Sequence, residues 1–255
     1  MNAEERKKEI IALLKAKENR SVRIQELSKL LKVTRETIRK DLYNLAEEGL
    51  IKKTHGGAIL ESKNSETEYE KRREEANEAK RKIAKAAVSY IEEGDIIYLD
   101  YGTTVFELAE EIVNLKKITV VTNSLPIINR LLENSSIEIV VLGGQVRRNE
   151  ASLYGNFAKQ NIRNIYVNIG FFGCSGIDVR AQITNHHIDE SVISREMIKR
   201  SQTSILLADQ SKFGNISLNQ IANFKDIDTI ITEKSGKVAE EKEIIRQGGE
   251  IFYAD

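Results

Sequence analysis

The sequence predicts an α/β protein in two parts, an N-terminal winged helix-turn-helix followed by a Rossmann-like domain with a largely parallel sheet. Three observations predict it. Two short helical patterns separated by a tight turn occupy Ser21 to Ile59 and run into Gly56-Gly57. A strongly charged stretch follows over 61–75, and beyond it short β-branched runs alternate with helical segments to the C-terminus.

Within the first part, Ile24, Leu27, Leu30 and Leu31 recur at helical spacing, so a helix is expected over Arg23 to Leu31. Lys32 and Val33 make the turn. Thr34 suits the N-cap of a second helix because its hydroxyl can accept from an orphaned amide, and Ile38, Leu42 and Leu45 repeat on the core face. Glu36, Thr37, Arg39 and Lys40 then point away from the core, with Arg35 at its border. In a helix-turn-helix the N-terminal part of the second helix reads base edges, and arginine can form a bidentate fork on guanine. Arg35 and Arg39 are the candidates for base contacts, with Thr34, Thr37 and Lys40 beside them on the DNA-facing side.

Leu50 to Lys53 reads as a short strand, and Thr54, His55, Gly56 and Gly57 turn the chain into Ala58 to Leu60, which makes a wing. Lys52 and Lys53 are placed to touch the phosphate backbone, supplying affinity and register without sequence information. His55 is either a further DNA contact or only a turn residue.

The run Thr34-Arg35-Glu36-Thr37-Ile38-Arg39-Lys40-Asp41-Leu42, the Glu48-Gly49-Leu50 helix exit and the wing His55-Gly56-Gly57-Ala58 together resemble the bacterial DeoR family of transcriptional repressors. The resemblance implies a DNA operator as partner and a second domain that senses a small molecule.

Composition agrees with two domains. The chain has 255 residues, 40% of them hydrophobic, and equal numbers of acidic and basic residues. Residues 1–60 hold 14 Lys and Arg against 9 Asp and Glu, leaving 25 against 30 for the rest. A basic head on an acidic body fits a protein whose head alone approaches nucleic acid. One cysteine, Cys174, excludes an internal disulfide framework, and no Cys and His cluster has metal-ligand spacing. Cys174 has no cationic neighbour in sequence to activate it as a redox switch, and packing is the reading preferred. Neither a cofactor nor a metal is expected. The charged start Glu4, Glu5, Arg6, Lys7, Lys8 does not resemble a signal peptide, and no apolar run reaches membrane-spanning length, so a cytoplasmic protein without membrane association is expected.

The domain boundaries read as 1–60 for the winged helix-turn-helix, 61–75 for a charged linker anchored by Tyr69, and 76–255 for the α/β domain. Ile83, Ala84, Ala87, Val88 and Ile91 restore helical period at its start. Strands are expected at Ile96 to Leu99, Ile118 to Val121, Ile137 to Leu142, Ile165 to Ile169, Ser204 to Ala208, Thr229 to Ile231 and Glu250 to Tyr253.

In such a sheet the ligand site lies at the carboxyl ends of the strands. The first strand ends in Asp100-Tyr101-Gly102-Thr103-Thr104 at a helix start, where glycine, free amides and two hydroxyls suit an anion. Thr122 and Asn123 end the second strand, Gly143 and Gly144 the third, and Lys212 follows the Ile205 to Ala208 strand. Each alone is as readily a cap, a turn or a solvated lysine; four at strand ends suggest a site.

The resemblance to the DeoR family extends over these positions, and that family's second domain resembles sugar-phosphate isomerases. It implies that Gly102 to Thr104 and Lys212 hold the phosphate of a phosphorylated sugar, with Asp100 and Asn123 facing its hydroxyls. The chain departs from the family pattern at Ser175, where an aspartate is common, and at Gln182, where a glycine is usual. Glu190, on a helix expected over His187 to Arg200, is either a ligand-facing acid or part of a solvated face.

The function expected is a regulator, a repressor of a carbohydrate operon whose operator affinity depends on a phosphorylated sugar. The alternative is an isomerase acting on such phosphates. Proton transfer beside a carbonyl needs a poised base, yet after the fourth strand Gly170-Phe171-Phe172-Gly173-Cys174-Ser175 offers no carboxylate before Asp178, leaving only Asp100. A homodimer or larger homo-oligomer is expected, because one helix-turn-helix contacts too few bases to be selective.

Overall fold

The computed structural model describes residues 2–17, 21–47, 50–54, 56–60, 69–234 and 238–255. They fall into two compact units, Met1–Ser65 and Glu66–Asp255.

The first unit starts with a helix that the periodicity reading passes over. Asn2 opens α1 (Ala3–Ala16) with reciprocal bonds to Glu5 of 2.8 and 2.9 Å, and Ile10 and Leu14, one turn apart, are fully buried. β1 (Ser21–Arg23) leads into α2 (Ile24–Leu30), and α3 (Arg35–Glu47) is followed by β2 (Ile51–Thr54) and β3 (Gly57–Leu60). Arg23 and Leu31 cap α2 rather than extending it. The turn is fixed by Lys32, which takes φ +52°, and by the Ser28 hydroxyl, which donates to Val33 O at 2.7 Å.

The three strands pair antiparallel in the order β1-β3-β2, so the wing is tied to the start of α2. Gly57 makes this pairing possible: a Cβ there would lie 1.9 Å from Val22 O. On the core side Ile38, Leu42 and Leu45 pack with Leu27, Ile10 and Leu14. Asp41, also buried, is held by α1, with Arg6 Nε at 2.5 Å and Nη2 at 3.0 Å in a bidentate pair.

The second unit begins within the segment read as linker. Residues 61–68 lie outside the described residues, but α4 (Tyr69–Glu74) is helical and rests on the second unit. Tyr69 is buried and its N–H reaches Asn149 O at 3.3 Å, while the Arg73 guanidinium lies 4.5 Å from the Phe106 ring centre. The charge that marks these residues as a connector is therefore partly used in docking them.

From there the chain runs through α5 (Asn77–Val88), β4 (Ile96–Leu99), α6 (Thr103–Ile112), β5 (Ile118–Thr122), α7 (Leu125–Leu131) and β6 (Ile137–Val141). A hairpin of β7 (Gln145–Arg147) and β8 (Ser152–Tyr154) precedes α8 (Asn156–Asn161) and β9 (Val167–Phe172). Then come β10 (Gly176–Asp178), β11 (Gln182–Asn185), α9 (Ile188–Ile198), β12 (Ser201–Leu207) and β13 (Asn219–Ala222). β14 (Thr229–Glu233), α10 (Val238–Arg246) and β15 (Ile251–Ala254) complete it.

Seven strands form one sheet in the order β15-β14-β12-β9-β4-β5-β6, parallel throughout. These are the seven expected strands, with ends shifted by a few residues. Side chains alternate between two cores. From β4, Ile97 and Leu99 face α5, α6 and α7, whereas Tyr98 faces the opposite layer with α8, α9 and α10. The short strands β10, β11 and β13 form a separate antiparallel sheet over that second face. Strand order reverses between β4 and β9, and a doubly wound sheet opens its crevice at such a switch point.

Candidate functional site

On the first unit the residues expected to face DNA are placed as follows. Thr34 Oγ1 accepts from Thr37 N at 3.1 Å, so the second helix is capped as expected. Arg35, Arg39 and Lys40 are exposed, Thr37 is half-buried, and Lys52 and Lys53 point to solvent from β2. Arg35, Arg39 and Lys53 share one groove with Ile24, Gln25 and the Gly56-Gly57 turn; Lys40 and Lys52 lie outside it. Lys53 Nζ stands 5.0 Å from the Tyr43 ring centre, which steadies a long side chain at the groove edge. Arg39 also contacts Glu36 at 3.1 Å, an exposed pair that a phosphate or base can displace at little cost. His55 lies outside the described residues.

On the second unit a cavity sits at the switch point. The chain after β4 supplies Tyr101 and Gly102, and with them Thr103 and Thr104 at the start of α6; Gly173, Cys174 and Ser175 follow β9; Asn185 ends β11 and His186 and His187 follow it. Arg147 and Glu150 come from the β7–β8 hairpin, Lys212 from the turn after β12, and Arg72 from α4. Gly102, at φ +114°, is the N-cap of α6 and leaves its first amides without a capping side chain. A helix start of this kind with Arg72, Arg147 and Lys212 around it favours an anion.

The titratable groups register that positive field. Burial pulls His186 down from its ordinary pKa, with Arg72 pushing the same way, and burial and then Arg147 do so for His187. Both imidazoles are therefore biased toward the neutral form. Burial pushes the Cys174 thiol up to about 12, which leaves it unreactive as a nucleophile.

Four of the sequence-derived effector residues line this cavity: Gly102, Thr103, Thr104 and Lys212. The other five do not line it. Asp100 is fully buried, accepting from Tyr98 Oη at 2.9 Å and from Ser194 Oγ at 2.7 Å. Asn123 accepts from the same Tyr98 hydroxyl at 3.1 Å and donates to Leu153 O at 3.2 Å, while Thr122 donates to Leu99 O at 2.7 Å. Gly143 and Gly144 turn the chain into β7, and a Cβ on Gly144 would lie 2.3 Å from Tyr154 O. These contacts are packing and positioning within the fold.

Strand-end reasoning missed Arg72, Arg147, Glu150, His186 and His187. Glu190, for which a solvated face was one reading, is instead fully buried, joined to Arg147 and the Ser152 hydroxyl. Burial raises both Asp100 and Glu190 to about 7, against stabilising bonds from Ser194 and Tyr98 on the first and from Ser152 and Arg147 on the second. Of the two departures, Ser175 lines the cavity and donates to Asn185 Oδ1 at 3.2 Å, whereas Gln182 is not part of the lining. Among the described residues no group of three or more His, Cys, Asp or Glu could hold a metal ion, and no helix is long and apolar enough to cross a membrane.

Comparison with known proteins matches residues 6–64 to the DeoR-like helix-turn-helix domain and residues 75–234 to the DeoR C terminal sensor domain. The chain is 34% identical to a putative aga operon transcriptional repressor of Escherichia coli O157:H7, over 96% of this chain and 91% of that one. It is 32% identical to the uncharacterized HTH-type transcriptional regulator YulB of Bacillus subtilis, over 94% of each, and 30% identical to the glycerol-3-phosphate regulon repressor of Escherichia coli K12, over 83% and 84%. Among solved structures, ribose 5-phosphate isomerase A of Methanocaldococcus jannaschii aligns with a TM-score of 0.41 at 17% identity over 54% of each chain. Translation initiation factor eIF-2B of Pyrococcus horikoshii OT3 aligns at 0.45 and 13% identity, over 90% of this chain and 82% of that one. With both of its parts matched and relatives of this identity spanning nearly its whole length, the chain belongs to the DeoR family of transcriptional regulators.

Proposed function

We propose that this protein represses a carbohydrate-metabolism operon and that a phosphorylated sugar or related metabolite, bound in the switch-point cavity, sets its operator affinity. The observation that carries the reading is the convergence of the uncapped α6 N-terminus, Thr103, Thr104 and Lys212 on one crevice with Arg72 and Arg147. The names of two relatives, a putative repressor of the aga operon and a repressor of the glycerol-3-phosphate regulon, support an operon repressor, and the second supports a phosphorylated metabolite.

In this reading Arg35 and Arg39 contact bases, Thr34, Thr37 and Lys40 flank them, and Lys52 and Lys53 hold phosphates. Gly102 to Thr104 and Lys212 take the effector's phosphate. Asp100 and Asn123 act from below by fixing Tyr98 and the crevice floor. The protein works in the cytoplasm as a homodimer or larger homo-oligomer, since selective readout needs paired half-sites. In this reading it acts as a regulator and not as an isomerase: Asp100, the base that the sequence leaves for that reaction, spends both oxygens on Tyr98 and Ser194 and is absent from the cavity wall.

A ligand that prefers the native state raises the melting temperature by mass action. Thermal unfolding against matched sugars and sugar phosphates is the test. A rise with one phosphate, absent for the free sugar and abolished by Lys212→Ala, is expected. A rise with the free sugar alone would overturn the phosphate reading.

A further inference from the structure

The switch-point cavity has a volume of only about 30 Å3, room for a water molecule and not for a sugar phosphate. Its own charges close it. Arg72 Nη2 pairs with Glu150 Oε1, and Arg147 pairs with Glu190. Glu150 is 2% exposed, and its second oxygen, Oε2, has no hydrogen-bond partner. A buried carboxylate oxygen in that state is costly and is relieved by any donor that reaches it.

Arg72 is held where it can serve such a site. It lies on α4, which is docked through Tyr69 and Arg73, and the buried Lys80 ammonium donates to Arg72 O and, at 2.6 Å, to Glu75 O. Three independent contacts thus fix the backbone that carries the guanidinium, and Arg72 lines the same cavity as Gly102, Thr103 and Thr104 at the α6 N-terminus.

We propose that Arg72 and Glu150 are effector-recognition residues: the ligand's phosphate takes Arg72 from Glu150, and Glu150 receives a hydroxyl of the same ligand. The proposal rests on reading the cavity as a phosphate site and deepens it. The class of ligand that satisfies both residues is a phosphorylated polyol, an anion with an O–H donor nearby.

Inorganic phosphate isolates the anion end, and its binding to the full-length protein is measured by calorimetry in wild type and variants. Arg72→Gln is expected to weaken phosphate binding at least tenfold. Glu150→Gln, which removes the competing charge, is expected to strengthen it at least threefold. Arg246→Gln, at the exposed end of α10 and outside the cavity lining, leaves it unchanged. Opposite signs for two variants that break the same ion pair cannot arise from a folding defect, which would weaken both. Binding lost in Lys212→Ala but unaltered in Arg72→Gln and Glu150→Gln overturns the proposal and keeps the phosphate site. No binding to wild type at tens of millimolar phosphate overturns the phosphate site and the proposal with it.

Discussion

Arg147 and Glu190 form an ion pair under the crevice, joining the β7–β8 hairpin to α9, and the Glu190 side chain is fully buried. Ser152 donates to the other carboxylate oxygen, so hairpin and helix are held at two points. Removing one partner of a buried pair costs about 3 to 5 kcal/mol. Glu190→Ala is expected to lose that much in urea denaturation, whereas Glu190→Gln, which keeps the volume and can still bond Ser152, loses less. Equal losses in the two variants would show that packing, and not the pair, sets the cost.

A pH dependence follows from Asp100. Its carboxyl is raised from 3.8 to about 7, chiefly by burial. A group with a raised folded pKa binds its proton more tightly when folded, so its contribution is full below the unfolded value and is lost as pH rises through the folded one. In Asp100→Asn that loss is absent, and Ser194 can turn its hydroxyl to Glu190 O at 3.3 Å. The stability of the variant relative to wild type should therefore rise by at least about 1 kcal/mol between pH 5 and 7.5. Melting curves across that range check it; a difference that stays flat or falls would refute the assignment.

Gln182 tests one of the two departures. It stands at φ +64°, where a glycine would be relaxed, and a side chain there costs about 1 to 2 kcal/mol. Its amide offsets the strain by donating to Val179 O at 3.2 Å and Gln247 Oε1 at 2.7 Å and by accepting from Phe224 N at 3.0 Å. Gln182→Gly gives up the bonds and relieves the strain, for a net loss of about 1 kcal/mol; Gln182→Ala gives up the bonds and keeps the strain, losing about 3 kcal/mol. An alanine variant as stable as the glycine one would count against this account. Both are expected to leave ligand binding unchanged, since Gln182 does not line the cavity.

The sheet was legible because each of its strands is a local run of β-branched residues, and the recognition helix because Thr34, Ile38, Leu42 and Leu45 sit at fixed spacing. α1 was not read, although its capping box Asn2 to Glu5 is a sequence signal. The site was only half legible. Residues that follow a strand directly in sequence, Gly102 to Thr104 and Lys212, could be found by the strand-end rule. Arg72, Arg147 and Glu150 reach the cavity from a docked connector and a hairpin, whose placement depends on tertiary contacts with no period of their own. The same rule named Gly143 and Gly144, which are not in the cavity lining; at Gly144 the glycine serves a close backbone approach to Tyr154.

Fluorescence anisotropy on duplexes from the region upstream of its own gene measures whether a DNA-binding regulator of this kind answers to a phosphorylated effector. One duplex should bind at least about a thousandfold more tightly than a scrambled one, with Arg35→Ala losing about 1 to 3 kcal/mol on that duplex and little on the scrambled one. The sugar phosphate that raises the melting temperature should shift the specific affinity, and Lys212→Ala should bind the duplex without responding. Equal affinity for specific and scrambled DNA, or a specific complex indifferent to every phosphate that binds the protein, would contradict the account.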